Sequence, residues 1–353
     1  MRLKKKHETL IGLDIGSGSI KLSELENRKG VWVVRKYGMV DLPMGAIEEG
    51  IIRDANRVAE RISELRENTG IREVNAAISI AGYSVIVKNI SVQKMSDEEM
   101  QENLHVEAEQ YLPFDVKDVY LDFHIVGENA DRENQMNLVL VAAKKDMVDE
   151  YVSVVEMANL NPCIMDVDAF ALQNIYDLCY EAADEEVVAL VDVGATKTNV
   201  NILKNRSSVL IRDVSMGGLQ ITQEIMARTD CSFEEAERWK VNGQSDKLSA
   251  EEMEEIFTSA CDRWCEEIRP AIDFFYSVNS ETRIDKIFLS GGGGLVSGFQ
   301  QMLSASTGIT TEYLNPFQNM EIEDASLDTN NLDRISPQAA ISLGLALRRV
   351  GDK

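Results

Sequence analysis

The order of apolar and polar positions over residues 10–80 predicts a small sheet covered by one helix. Short segments of continuous or alternating apolar residues, rich in β-branched and aromatic side chains, are typical of strands. One later segment repeats its apolar positions every three to four residues, which is typical of an amphipathic helix. The predicted elements are strands at 10–14, 20–25, 31–40 and 74–80 and a helix at 46–68 that Gly70 ends.

Residues 84–160 have a pattern of their own. Ser96, with Glu99 three positions later, forms a capping box that predicts a helix start, and Pro113 ends that helix. Because the block combines strands and helices and is long enough to fold as a unit, it predicts an inserted subdomain. Its predicted elements are strands at 85–92, 119–126 and 138–142 and helices at 96–112 and 146–160.

The second half of the chain returns to short apolar strands and then becomes mostly helical up to residue 279. Asp168 begins a helix directly after a short strand, and Pro337 stands in the first turn of a last helix that ends near residue 350. Residues 315–334 are acidic and show little periodicity, which predicts a loop. The other predicted elements are strands at 163–167, 187–192, 199–204, 209–214 and 286–290 and helices at 168–180 and 295–307.

Two segments that lie half a chain apart, 10–21 and 188–199, are similar in sequence. Each contains an apolar strand that ends in Asp-x-Gly, a turn of small residues and a second strand. Such a turn exposes backbone N–H groups that can bind phosphate, and a carboxylate beside phosphate suits hydrated Mg²⁺. A single copy is better explained as an ordinary hairpin turn. Two copies instead favour two related domains that face each other, with Asp14 and Asp192 as the cation-binding carboxylates.

Charge and composition narrow the class of partner. The 353 residues include 36 Lys and Arg and 60 Asp and Glu, and the formal net charge of −24 disfavours nucleic acid and anionic membrane as main partners. The longest apolar runs, such as 138–143, are far shorter than the roughly 20 residues of a membrane-spanning helix. Five scattered cysteines indicate a reducing compartment, so we expect a cytoplasmic protein. The lysines at 4–6 indicate a solubilising tail.

The paired hairpins and a late glycine run together resemble the actin-like ATPase superfamily, which includes actin, Hsp70, sugar kinases and the division protein FtsA. The resemblance implies an α/β fold of two RNase H-like domains with an inserted FtsA-type subdomain. It also implies ATP with Mg²⁺ in a cleft between the domains, with Asp14 and Asp192 holding the cation through water. The nucleotide-binding residues that it implies are Asp14, Gly16, Ser17, Gly18, Ser19, Lys21, Asp192, Gly194, Ala195, Thr196, Gly217, Gly218, Glu237, Lys240, Gly291, Gly292, Gly293 and Gly294.

One stretch narrows the resemblance further. The Gln-Tyr-Leu-Pro-Phe segment at 110–114 and its flanks are similar to the PilM family of actin-like proteins, which belong to the type IV pilus assembly platform of twitching motility. The resemblance covers nearly the whole chain and implies an ATP-binding scaffold, with weak ATPase activity at most, that binds the N-terminal cytoplasmic tail of the inner-membrane protein PilN. The chain would then be peripheral at the inner membrane, through partner proteins. The tail would lie in a groove between the first domain and the inserted subdomain, edged by Gln110, Tyr111, Pro113 and Phe114.

Domain boundaries and several roles follow from the same resemblance. The first actin-like domain is expected at 1–83, with the C-terminal helix 336–353 returning to it, the inserted subdomain at 84–165 and the second domain at 166–335. Asp168 is a candidate catalytic residue that orients a hydrolytic water, although helix capping explains it equally well. Lys21 is otherwise an exposed strand lysine, and the groove residues are otherwise core. Four consecutive glycines at 291–294 are hard to explain by the fold alone.

Three other functions stay open at this point. A filament-forming division protein similar to FtsA is disfavoured because the chain stops directly after its last predicted helix, without an amphipathic membrane helix. A small-molecule kinase would need a catalytic carboxylate that no segment marks. The cytoplasmic domain of a type II secretion platform protein would continue into a membrane helix. Further pilus platform proteins and motor ATPases are additional partners under the resemblance, and homo-oligomerisation is left open.

Overall fold

Both halves of the chain fold around a sheet. The computed structural model describes residues 9–129, 132–181, 183 and 185–352, so the lysines at 4–6 lie outside the described residues. The strands are β1 (Ile11–Ile15), β2 (Ser19–Arg28), β3 (Val31–Asp41), β4 (Ile47–Glu48), β5 (Ile51–Ile52), β6 (Asn75–Ile80), β7 (Val85–Gln93), β8 (Val119–Glu128), β9 (Gln135–Lys144), β10 (Asn161–Val167), β11 (Val187–Val193), β12 (Thr198–Lys204), β13 (Ser207–Val214), β14 (Lys286–Ser290), β15 (Thr310–Tyr313) and β16 (Met320–Ile322).

Nine helices within the described ranges cover these sheets. Three of them follow a serine that forms a complete capping box, in which the serine side chain accepts a hydrogen bond from a backbone amide of the first turn. These serines are Ser96, Ser232 and Ser249. The helices are α1 (Ala55–Thr69), α2 (Asp97–Glu109), α3 (Lys145–Met157), α4 (Asp168–Cys179), α5 (Leu219–Thr229), α6 (Phe233–Asn242), α7 (Ala250–Val278), α8 (Phe299–Thr307) and α9 (Leu332–Ala346). None of them, within the described part of the chain, combines the length and the apolar surface that crossing a bilayer requires.

The two large sheets have corresponding strand orders. The first is β10-β6-β1-β2-β3-β16, and the second, written in the matching direction, is β15-β14-β11-β12-β13. In each sheet a central antiparallel hairpin, β1–β2 or β11–β12, pairs on one side with a parallel strand. The register is also the same, since Asp14 lies opposite Lys21 and Asp192 lies opposite Asn199. The sequence repeat is therefore a repeat of sheet topology.

The first helix begins later than its periodicity predicts. Residues 47–52 form the small hairpin β4–β5, and Asp54 caps α1 by accepting a hydrogen bond from the Arg57 amide at 3.0 Å. Gly50 has a left-handed φ of +81°, which ends any helix started upstream. The predicted start at residue 46 is wrong, whereas the predicted end is confirmed because Gly70 is a left-handed cap.

The acidic segment before the last helix is not a loop throughout. Residues 320–322 form β16, which pairs in parallel with β3, and α9 begins at Leu332, so Pro337 lies inside the helix and not in its first turn. The loop prediction was wrong because β16 forms against β3, a strand distant in sequence that local periodicity does not reveal. The Pro337 prediction was wrong because the helix already begins at Leu332. The Pro337 carbonyl accepts the Gly291 amide at 2.8 Å, which fixes α9 against the end of β14.

The inserted block forms a three-stranded sheet, β7-β9-β8, against which α2 packs. Its small core contains Met100, Leu104, Leu138 and Leu140. Residues that follow β9 pack elsewhere: Tyr151 of α3 joins the core of the first domain, and β10 pairs with β6 in the first sheet. The polypeptide thus leaves the first domain at β7 and returns to it at α3.

Two helices lie between the large sheets. The apolar faces of α4 and α9 share one core with residues of both sheets, including Val34 from the first and Leu190 from the second. Gly344 of α9 packs directly on Ala171 of α4, because a Cβ at Gly344 would lie only 2.6 Å from the Ala171 carbonyl carbon. The two domains are therefore joined by a tight crossing of backbones.

Candidate functional site

The turns of the two central hairpins face each other and touch. The Ser17 and Thr196 hydroxyls form a hydrogen bond at 2.8 Å, although the residues come from opposite halves of the chain. A Cβ at Gly18 would lie 2.8 Å from the Cβ of Ala195, so only glycine allows this approach. Each turn thus presents its small residues to the other, as the sequence repeat predicts.

The two turns also have the same internal geometry. The Gly16 amide donates to the Ser19 carbonyl at 3.2 Å, and the Gly194 amide donates to the Lys197 carbonyl at 2.8 Å. Position for position, these are equivalent bonds. Both turns therefore fix their backbones in the same tight shape, beside the carboxylate at the end of the preceding strand.

The carboxylate of Asp14 is buried, and that of Asp192 is partly buried. Asp14 is 7% exposed and pairs with the Lys21 ammonium at 3.2 Å, so Lys21 is not an exposed strand lysine. Burial raises the pKa of Asp14, and the Lys21 charge opposes that shift. Burial, together with the charges of Asp14 and Asp168, raises the pKa of Asp192 to about 6. A cation placed between Asp14 and Asp192 would allow both to ionise.

Asp168 does not cap its helix. Val167 occupies the cap position, and Asp168 is the first residue of α4. Its carboxylate instead accepts a hydrogen bond from the Lys197 ammonium at 3.0 Å. Burial alone would lower the pKa of Lys197, but the carboxylates of Asp168 and Asp213 raise it above its ordinary value. Helix capping, the alternative explanation of Asp168, is therefore wrong.

The Gly217–Gly218 pair lies against the second turn. The Gly218 amide donates to the Gly194 carbonyl at 3.0 Å, and the Leu219 amide donates to the Ala195 carbonyl at 2.8 Å. The Lys240 ammonium donates to the Gly218 carbonyl at 3.3 Å and to the Glu237 carboxylate at 2.6 Å. These motifs, separate in the sequence, form one wall beside the second turn.

The glycine run after β14 forms the neighbouring wall. A Cβ at Gly291 would lie 2.7 Å from the carbonyl carbon of Val193, and one at Gly293 would lie 2.6 Å from the Val193 side chain. A Cβ at Gly294 would meet only Leu289, at 3.8 Å, which is ordinary contact. Close packing against β11 thus explains Gly291 and Gly293, so the fold accounts for part of a run that the sequence left unexplained.

We therefore expect replacement of Gly293 to disturb the second turn and replacement of its neighbour Gly294 to leave the turn unchanged. We expect Gly293→Ala to lower the thermal midpoint by several degrees, because its methyl group overlaps β11 and overpacking costs about 1–3 kcal/mol. Gly294→Ala, the matched control in the same run, should shift the midpoint by less than about 1 °C. Thermal unfolding followed by circular dichroism measures both, and equal shifts would contradict the assignment.

Two site residues were missed by the sequence analysis. Asn199 lies opposite Asp192, and its buried side-chain oxygen has no hydrogen-bond partner within the described ranges. Asp213 lies opposite Asn199 on the next strand, β13, and accepts a hydrogen bond from the Asn199 side-chain amide at 2.9 Å. The repeat contained a signal for Asn199, since it is the counterpart of Lys21. An unpaired acceptor beside a carboxylate suits a metal-bound water, so these residues fit phosphate with a hydrated divalent cation.

The predicted groove residues lie at the end of α2, with mixed exposure. Tyr111 packs against the core of the inserted subdomain, and its carbonyl accepts the Lys88 ammonium at 2.7 Å. The Lys144 ammonium lies 4.5 Å from the centre of the Phe114 ring. Gln110 and Pro113 are exposed. We call this surface the α2 corner; it borders β7.

A groove of about 430 Å³ opens on the other side of β7. It separates β7 from β13, the outer strands of their respective sheets among the described residues. Val85 and Val87 line it on one side and Ile211 on the other. The Asn89 side chain bridges one end by donating to the Ser208 carbonyl at 2.9 Å. We call this feature the β7–β13 groove.

Comparison with known proteins gives consistent results. A family model described as "Type IV pilus assembly protein PilM" matches residues 12–350. A solved structure described as "PilM-PilN type IV pilus biogenesis complex" is 24% identical with a TM-score of 0.85, covering 98% of this chain and 99% of that one. Ethanolamine utilization protein EutJ from Carboxydothermus hydrogenoformans is 14% identical with a TM-score of 0.57, covering 98% and 90%. These likenesses confirm the actin-like α/β fold.

Proposed function

The chain belongs to the family of type IV pilus assembly proteins PilM, and on this basis we propose that it is an ATP-binding scaffold for the N-terminal tail of a PilN-like inner-membrane protein. The observation that carries the proposal is the meeting of two equivalent hairpin turns at Ser17 and Thr196, each beside the carboxylate of its first strand, Asp14 or Asp192. Family membership does not favour an FtsA-like filament protein, a small-molecule kinase or a type II secretion platform domain.

The nucleotide would be held by both domains. Asp14 and Asp192 would bind Mg²⁺ through water, while Lys21 and the turn amides would contact phosphate oxygens. Bound Mg²⁺–ATP would supply both the cation that lets the two carboxylates ionise and the phosphate anion that joins the two turns. The remaining predicted contacts would surround the nucleoside: Gly217, Gly218, Glu237 and Lys240 on one wall and Gly291, Gly292, Gly293 and Gly294 on the other.

Hydrolysis would be weak at most. The candidate residue for orienting a hydrolytic water is Asp168, and its carboxylate is engaged by the Lys197 ammonium at 3.0 Å. The Lys197 ammonium occupies an oxygen of that carboxylate, which leaves the carboxylate less free to orient a water. The arrangement supports nucleotide binding as the main use of the site.

The tail would bind beside the inserted subdomain. A structurally similar chain is described as part of a PilM–PilN complex, and the β7–β13 groove offers two outer strand edges to an extended peptide. Outer strands carry unpaired backbone donors and acceptors that an added strand can use, while side-chain pockets supply specificity. The α2 corner, Gln110, Tyr111, Pro113 and Phe114, stays a predicted contact surface on the opposite side of β7.

Titration of a tail peptide tests this proposal. We expect the N-terminal cytoplasmic peptide of the PilN-like protein to bind saturably in isothermal calorimetry. Ile211→Asp should weaken binding at least about tenfold, because a carboxylate would be buried against apolar groove side chains. Val209→Asp adds the same charge on the same strand at an exposed position, 38% exposed, and should change affinity less than about twofold.

The result that would contradict the scaffold assignment is an absence of saturable binding with and without ATP. Phe114→Ala in the same titration measures the contribution of the α2 corner. If only Phe114→Ala weakens binding, the tail lies at the α2 corner and not in the β7–β13 groove.

A further inference from the structure

A row of polar side chains crosses the second sheet toward the inserted subdomain. In register, Asp192 of β11 lies opposite Asn199 of β12, and Asn199 lies opposite Asp213 of β13. Residues directly opposite each other on neighbouring strands have side chains on the same face, about 5 Å apart. The row therefore begins at a proposed Mg²⁺ ligand and ends at the outer strand of the sheet.

The last member of this row bonds to the other domain. One carboxylate oxygen of Asp213 accepts the Asn199 amide at 2.9 Å, and the other accepts the backbone amide of Gly82 at 2.8 Å. Gly82 lies between β6 and β7, where the chain leaves the first domain and enters the inserted subdomain. Asp213 thus hydrogen-bonds the second sheet to the start of the inserted subdomain.

The same contact marks one end of the β7–β13 groove. Next to it, the Tyr83 hydroxyl lies 3.3 Å from the Ser215 hydroxyl, and at the far end Asn89 bonds to Ser208. A change in the Asp213–Gly82 contact would therefore alter the separation of β7 from β13. That separation sets the space that an extended peptide can enter.

The beginning of the row has an unused acceptor. The Asn199 side-chain oxygen is buried without a hydrogen-bond partner in the described part of the chain, while its amide is committed to Asp213. A water of a cation bound at Asp192 could donate to that oxygen, which would orient the Asn199 side chain. A second contact in the same cleft joins the turn before β12 to α4, because the Lys197 ammonium donates to the Asp168 carboxylate.

We propose that Asp213 is a positioning residue that transmits nucleotide occupancy to the inserted subdomain through the row Asp192, Asn199, Asp213 and Gly82. The inference rests on the proposed ATP site and identifies how that site regulates the tail groove. Phosphate held by both turns would take the place of the Ser17–Thr196 hydrogen bond, and we expect the second sheet to shift relative to the first. The Asp213–Gly82 hydrogen bond is made in this structure, and its breakage by such a shift would be the second of the two arrangements that coupling requires.

Hydrogen–deuterium exchange of the full chain, with and without saturating ATP and Mg²⁺, tests the inference without any partner. In the wild type we expect nucleotide to change exchange over residues 82–93 by about fivefold or more. In Asp213→Ala that nucleotide-dependent change should disappear, while exchange around Gly82 rises even without nucleotide. Arg212→Ala, an exposed neighbour on the same strand, is the matched control and should respond like the wild type.

Asp213→Asn provides a second variant of nearly the same volume, in case the alanine variant does not fold. The two donors bond to different oxygens of Asp213, and Asn keeps only one of those oxygens, so it loses one of the two hydrogen bonds and the same loss of response is expected. A nucleotide response over residues 82–93 that persists in a folded Asp213 variant would overturn the inference. ATP binding to the wild type without that response would overturn the inference alone. Absence of ATP binding, measured by a parallel titration, would overturn the proposed function as well.

Discussion

Asp14→Ala should weaken the binding of Mg²⁺–ATP by at least about 100-fold. Asp14 is the buried member of the two carboxylates beside the paired turns, and its removal leaves only Asp192 for the cation. It also leaves the Lys21 ammonium without the carboxylate that it contacts at 3.2 Å. Two lost charge-assisted contacts of about 1.5–3 kcal/mol each correspond to about two to four decades in the dissociation constant.

A fluorescent ATP analogue titrated in the presence of Mg²⁺ measures this change. Asp246→Ala removes one negative charge from an exposed position and is the control for net charge. The Asp14 variant should remain folded, since burial raises the pKa of Asp14 and the buried charge does not favour the native state by itself. Equal affinities of wild type and Asp14→Ala would contradict the assignment of Asp14 to the cation.

Gly344→Ala should have the largest effect on stability. A methyl group at this position would overlap the carbonyl of Ala171, with the carbonyl carbon only 2.6 Å away. The Ala171 carbonyl is backbone of α4, which packs against α9 and cannot move aside as a flexible side chain could. We expect a loss of about 3 kcal/mol or more, at the upper end of the range for overpacking.

Chemical unfolding of the purified variant measures the loss in free energy of unfolding. If the loss is too large for the variant to fold, the variant will be insoluble on expression. Gly294→Ala is again the control, because its added methyl group meets only one side-chain atom at ordinary contact distance. A variant with wild-type stability would show that the α4–α9 crossing opens at little cost, and the two domains would then be less firmly joined than the packing indicates.

Local signals in the sequence predicted the fold well where a few neighbouring residues decide the structure. The capping box at Ser96 and the left-handed cap at Gly70 are confirmed because each depends on contacts within one helical turn. Strand β16 and the early start of α9 at Leu332 were missed. Strand β16 depends on β3, almost 300 residues away in the sequence, and no local pattern contains that information.

The residues of the candidate site also divide into those that local sequence predicts and those that depend on contacts between distant parts of the chain. Motifs within single segments identified the two turns, the Gly217–Gly218 pair and the glycine run, and the structure brings these residues together. Asp213 and Gly82 could not be predicted, because their contact requires the register of β12 with β13 and the position of the inserted subdomain. Asn199 was recoverable in principle, since the repeat aligns it with Lys21.

The central claim is that one protein holds ATP between its two domains and binds the tail of a membrane partner beside the inserted subdomain. Calorimetric titration of the PilN-like tail peptide into the wild-type chain, with and without saturating Mg²⁺–ATP, tests it most directly. The account predicts saturable binding whose affinity changes by about fivefold or more with nucleotide, and by linkage the peptide must change ATP affinity by the same factor. A peptide that does not bind, or that binds with the same affinity in both titrations, would contradict it.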